Sequence, residues 1–111
     1  MIKRALPPAV QTALDELKQA LTQIYGEKFE GLYLYGSYAR GDFREDSDVD
    51  LAISLKGNVN PYDELDRLSK TISEISFRHD LLLATYPFPA HWLKERQSPL
   101  FENIRREASL V

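Results

Sequence analysis

Val10, Leu14, Leu17, Leu21 and Ile24 recur at intervals of four, three, four and three. That spacing lines one face of an α-helix, while Asp15, Glu16, Lys18 and Gln19 fall on the face toward water. Pro7 and Pro8 suit its first turn and Gly26 its end. Leu32-Tyr33-Leu34-Tyr35, between Gly31 and Gly36, reads as a short strand rich in β-favouring aromatics. A second strand runs from Asp48 to Leu55 and stops at Gly57-Asn58. Asn60 then caps a long helix, with Pro61 at its first position, Asp63 and Glu64 in its first turn, and a stripe of Leu65, Leu68, Ile72 and Ile75. Asp80 to Thr85 is almost continuously apolar, as in a strand covered on both faces, and Pro87 and Pro89 break the pattern. Ser98-Pro99 opens a last helix through about Glu107, with Leu100, Phe101 and Ile104 inward. There is no repeat and no linker, so residues 1–111 form one layered α/β domain.

Composition narrows the class without naming a chemistry. Of 111 residues, 43% are hydrophobic and 28% charged, which is ordinary for a globular protein and excludes global disorder. No apolar run approaches the ~20 residues of a membrane span, and the amino-terminal MIKRALPPAVQ lacks the apolar core of a secretion signal. The absence of cysteine removes disulfides, thiolate metal sites and a thiol nucleophile. A cytoplasmic address is the resulting expectation. A net charge of -3 argues against direct nucleic-acid binding, which needs a basic face. With no His-rich cluster, zinc is not expected either.

The chemistry is concentrated between Gly36 and Leu51. Gly36-Ser37 ends a strand, and a glycine there allows a positive φ and a ligand close to the backbone. Unpaired N–H groups and the Ser37 hydroxyl would then face one spot, an anion site; the same pair also reads as a plain turn with a serine cap. Asp48-x-Asp50 puts two carboxylates on one face of a strand, with Val49 and Leu51 toward the core. Asp42, Glu45, Asp46, Asp48 and Asp50 outnumber Arg40 and Arg44 locally, so a divalent cation is one compensation and a solvated acidic loop the alternative. Asp80 reaches the same edge if its strand lies beside the second, and a third carboxylate would complete a pair of metal sites with ions ~3.5–4 Å apart. Taken together, a phosphate cradle facing carboxylates suits metal-assisted nucleotidyl transfer. Mg²⁺ fits best, because it pairs one or two carboxylates with substrate phosphate oxygens. Arg40 or Arg44 would add positive charge near a triphosphate, and in the free protein would pair with the neighbouring acids.

Gly36-Ser37-x-Ala39-Arg40-Gly41 followed by Ser47-Asp48-x-Asp50-Leu51 resembles the motif of the DNA polymerase β-type nucleotidyltransferase superfamily. Within it, the chain looks like the minimal nucleotidyltransferases that partner HEPN proteins. The resemblance implies the nucleotidyltransferase fold, an α+β single domain with a small mixed sheet flanked by helices. It implies triphosphate binding at Gly36 and Ser37, with Arg40 and Ser47 beside them in the motif, and metal binding and catalysis at Asp48 and Asp50. Asp80 is the acid on a later strand that fits the family's third position. ATP as substrate and two Mg²⁺ ions follow. So does a partner: a HEPN ribonuclease toxin neutralised when AMP is moved onto one of its tyrosines, the acceptor being supplied by that protein because the chain has no residues for a further helical domain. The rival readings are an antitoxin that blocks by contact alone and transfer to a small molecule.

The remaining conspicuous residues read as structural. Tyr33 and Tyr35 alternate with Leu32 and Leu34 across two faces of a strand. Tyr38 suits helix packing, His79 a strand edge, and Trp92 a pin for the last segment. Glu102, Arg105, Arg106 and Glu107 suggest a solvated helix face.

Overall fold

A computed structural model describes residues 5–111 of the chain. The first four residues of the amino-terminal segment read above against a secretion signal lie outside it. The elements are α1 (Pro8–Tyr25), a 3₁₀ turn (Gly26–Lys28), β1 (Phe29–Tyr35), α2 (Ser37–Arg40), β2 (Val49–Leu55), α3 (Pro61–His79), β3 (Leu83–Pro89), α4 (Trp92–Glu95), α5 (Pro99–Glu107) and β4 (Ser109–Leu110). The four strands form one mixed sheet in the order β3-β2-β1-β4, with β2–β3 parallel and the other two pairings antiparallel. No helix among the described residues is long and apolar enough to cross a membrane.

Alternation along the strands gives the sheet two buried faces. Leu32 and Leu34 of β1 and Val49, Leu51, Ile53 and Leu55 of β2 join the stripes of α1 (Val10, Leu14, Leu17, Leu21) and α3 (Leu68, Ile75) in the larger cluster. The intervening Tyr33, Tyr35 and Ala52 meet Phe88, Trp92, Phe101 and Ile104 on the other side. Each fully buried Leu or Ile contributes about 1.5–3 kcal/mol by leaving water. Ile24, placed on the first stripe by its spacing, is instead 41% exposed.

Helix caps follow local chemistry. Asn60 Oδ1 accepts from the N–H groups of Tyr62 (3.0 Å) and Asp63 (3.4 Å), with Pro61 next to it. Ser98 Oγ accepts from the Phe101 N–H at 3.3 Å. Trp92 stands edge-on to Phe101, fixing the last segment to the second core, and the Arg96 guanidinium lies 3.5 Å above its ring. His79 Nε2 sits 2.6 Å from Glu16 Oε2, tying α3 to α1.

The third strand is displaced from its expected position. It begins at Leu83 instead of Asp80, and runs through Pro87 and Pro89 instead of stopping before them. β3 is an edge strand, which tolerates proline. The Ala90 N–H donates to Leu55 O at 2.7 Å, so by the two-residue alternation the nitrogens of Pro87 and Pro89 point away from β2 and lose no ladder bond. The short strand β4 and helix α4 have no signal in the pattern.

Replacing Asn60 with Ala removes both cap bonds, and Leu17→Ala opens a cavity in a site with no exposure. Urea unfolding should show losses of about 1 kcal/mol for the first and 2–5 kcal/mol for the second.

Candidate active site

β1 and β2 run antiparallel, with Tyr35 paired to Asp50. The turn that leaves β1 is therefore carried to the start of β2. Gly36 has φ 75° and caps the single turn of α2, and Gly41 closes that turn in the left-handed region at φ 89°. Ser37 O accepts from the Gly41 N–H (2.9 Å) and the Asp42 N–H (3.1 Å), which locks the turn. The cap residue is Gly36 itself, so Ser37 is not the serine cap of the plainer reading, and its hydroxyl has no partner among the described residues. Tyr38 and Ala39 are buried, and Tyr38 stacks on Phe43 with ring centroids 4.4 Å apart, which anchors the turn to the core.

Asp50 lies directly over this turn. A Cβ on Gly36 would stand 2.2 Å from Asp50 Oδ2. Glycine is thus required twice, for its positive φ and for the carboxylate's space. β2 begins at Val49, so Asp48 stands just before the strand and Asp50 within it; both line the same cleft while Val49 and Leu51 are buried, and neither carboxylate accepts a hydrogen bond from the described residues. Burial, and then the charge of Asp48, raise the Asp50 carboxyl above its ordinary value; Arg40 opposes this and Glu107 adds to it. Tyr35, beside them, is pushed up to about 12, first by burial and then by Asp50.

The cleft of about 420 Å³ around these groups is lined by Tyr35, Gly36, Ser37, Arg40, Ser47, Asp48, Asp50, Asn103 and Glu107. Six of the seven residues singled out in the sequence meet there. Ser47 reaches it while its Oγ accepts from the Arg44 N–H at 2.7 Å, closing the loop before β2. The seventh does not. Asp80 occupies the left-handed position that ends α3 (φ 52°), three residues before β3 begins, and its N–H is spent on the carbonyls of Ser76 and Phe77. It lines a neighbouring depression with Glu45, Asp46, Phe77 and Leu82. The β3 residue beside Asp50 is Ala84, which has no ligating group. Among the described residues no set of three His, Asp or Glu side chains is placed to hold a metal ion. The expectation of three aspartates on one rim is therefore corrected to two, because α3 ends at Asp80 before β3 begins and so leaves this residue at the neighbouring depression.

Glu107 is the residue that sequence reading misplaced. It is not on a solvated face. Its Oε1 accepts from the Gly36 N–H at 3.0 Å, and Arg40 Nη1 donates to both carboxylate oxygens at 3.2 Å. Arg40 also donates through Nε to Asp42 Oδ2 at 3.2 Å, in line with the expected pairing to nearby acids. Arg105 too is structural, donating to the carbonyls of Leu93 (2.7 Å) and Arg96 (2.8 Å). The α5 periodicity sets Phe101 and Ile104 inward but carries no sign of a polar contact 71 positions away.

Two carboxylates and a hydroxyl without partners among the described residues, with a guanidinium around a glycine turn, are suited to holding a cation and an anionic ligand together. Comparison with known proteins gives the family. The family model described as "Nucleotidyltransferase domain" matches residues 14–105. The chain belongs to the nucleotidyltransferase domain family. It is 35% identical over 71 residues to "Putative protein adenylyltransferase MJ0141" of Methanocaldococcus jannaschii, covering 64% of this chain and 71% of that protein. A second protein of that organism, "Putative protein adenylyltransferase MJ0604", is 42% identical over 43 residues, which is 39% of this chain and 43% of the relative. In fold, this nucleotidyltransferase resembles a crystal structure titled as a putative nucleotidyltransferase from Sulfolobus solfataricus, with a TM-score of 0.57 and 19% identity across 97% of this chain and 89% of that one.

The raised Asp50 carboxyl has a consequence for stability. The folded state binds the Asp50 proton more readily than the unfolded chain, so this group costs stability above the ordinary carboxylate range, and the cost fades as pH falls through that range. Asp50→Asn should raise the melting temperature at pH 7, with the gain shrinking toward pH 4. Gly36→Ala, by contrast, should lower stability by about 1–3 kcal/mol, because its backbone is strained and its methyl displaces Asp50.

Proposed function

We propose that the chain moves AMP from ATP onto a hydroxyl of a partner protein. The observation that carries this reading is the pair Asp48 and Asp50, which accept no hydrogen bond from the described residues and line one cleft with the Gly36 turn, in a nucleotidyltransferase whose curated relatives bear the name of protein adenylyltransferases. In the reaction, the acceptor hydroxyl gives up its proton to water, its oxygen forms a bond to the α-phosphorus of ATP, the bond from that phosphorus to the bridging oxygen breaks, and pyrophosphate leaves.

Each residue of the cleft has a share in this. Ser37 and the Gly36 turn face the triphosphate across the cleft that they line with Asp48 and Asp50. Arg40 offers the guanidinium nitrogen Nη2, which neither Glu107 nor Asp42 uses. Ser47 holds the loop that delivers Asp48 and Asp50. Those two carboxylates fit one Mg²⁺, since they line one cleft, accept no hydrogen bond from the described residues and repel one another, with substrate phosphate oxygens as its further ligands. Bound there, the ion would offset charge at the reacting phosphorus and on the leaving group.

The finer reading of the acceptor is a tyrosine of a HEPN ribonuclease, which the modification silences; the chain is then the antitoxin of a toxin–antitoxin pair. Its support is the resemblance of the Gly36–Leu51 motif to the minimal nucleotidyltransferases.

The test is incubation with the candidate toxin, α-labelled ATP and Mg²⁺, read by mass spectrometry of the toxin. Wild type should add AMP to a tyrosine, while Asp48→Asn with Asp50→Asn should lose more than about a hundredfold in rate. Neutralisation by the double variant without any transfer would favour an antitoxin acting by contact.

A further inference from the structure

We infer that Glu107 is a positioning residue for the triphosphate: from the end of α5 it holds Arg40 and the Gly36 turn in the geometry that receives the nucleotide. This rests on the adenylyl-transfer reading, which does not itself assign Glu107 a part. A guanidinium has five N–H donors on a planar fork and a long flexible stem, so an unsupported arginine on a surface turn samples many rotamers. Arg40 is braced from two sides instead. Its Nε donates to Asp42 and its Nη1 to both oxygens of Glu107. The two braces leave Nη2 unmatched, on a side chain that lines the same cleft as Ser37, Asp48 and Asp50.

The second contact of Glu107 acts on the backbone. Its Oε1 takes the Gly36 N–H, the amide at the strand-to-turn junction whose φ of 75° makes room for Asp50. The Glu107 side chain is only 12% exposed where it meets Arg40, so these charge-assisted bonds are partly shielded from water. One carboxylate thus joins the last helix to both the cationic arm and the glycine turn of the cleft. Its role is exerted through those groups, without contact to the reacting atoms.

The geometry also admits the opposite role, in which the carboxylate competes with phosphate for the same donors, and the two roles predict opposite signs. The experiment is a double-mutant cycle with Glu107→Gln and Arg40→Ala, measuring MgATP binding by calorimetry and adenylyl transfer by kcat and KM, with thermal melting as a check of folding. Glu107→Gln keeps the size and an acceptor for the Gly36 N–H but loses the charge that braces Arg40. Positioning predicts that MgATP binding and KM weaken about tenfold, the scale of one charge-assisted hydrogen bond, with kcat changed far less. It also predicts that Arg40→Ala combined with Glu107→Gln is little worse than Arg40→Ala alone, and that Glu107→Asp restores part of the loss. Losses that multiply in the double variant would overturn the inference and leave Glu107 a fold residue. Tighter MgATP binding by Glu107→Gln would overturn it in favour of competition. Should wild type itself bind no MgATP, the adenylyl-transfer reading fails, an outcome separate from any difference between the variants.

Discussion

The site depends on one close approach: the Asp50 carboxylate packed over a residue with no side chain. Placing a carboxylate beside a second one, partly away from water, is unfavourable, and the fold accepts this cost at the first turn of β2. It does so by antiparallel pairing of β1 with β2, which brings the end of one strand and the start of the other to the same rim. Gly36 then bends the chain away through a left-handed backbone conformation, leaving Asp50 where a methyl group would otherwise sit. Each side chain of the cleft is within reach of that junction, and its net negative character is what a cation would relieve.

The rest of the molecule keeps the junction rigid. α1 and α3 cover one face of the sheet with aliphatic side chains, and the aromatic cluster around Phe88 and Phe101 covers the other. β1 and β2 are the two central strands, each paired on both sides. The stacked pair of Tyr38 and Phe43 secures the glycine turn from beneath, and α5 secures it from the side through Glu107. Stability is spent on like charges at the rim and recovered in the two cores, a distribution expected of a site that must bind something charged.

Much of the fold was legible in the chain. The stripes of α1 up to Leu21 and of α3, the Asn60 and Ser98 caps and the alternation of β1 all follow from local rules and are found where those rules put them. The third strand shows where such rules stop. Asp80-Leu81-Leu82-Leu83 has the composition of a strand start, yet α3 persists to His79 and uses Asp80 and Leu81 to close its last carbonyls. Proline, read as a breaker, is harmless in β3 because its ring nitrogens face the open edge of the sheet.

The sequence by itself determined the two-sided helix and strand pattern, the glycine turn and the paired aspartates, since these lie within a few residues of one another and obey the periods of the backbone. The tertiary structure alone decided which distant groups join them. Glu107 reaches Gly36 across 71 positions, and Asp80 stays outside despite its type, because membership in the cleft depends on where a helix ends and which strand lies at the edge. Those are properties of packing between elements, and no local pattern encodes them.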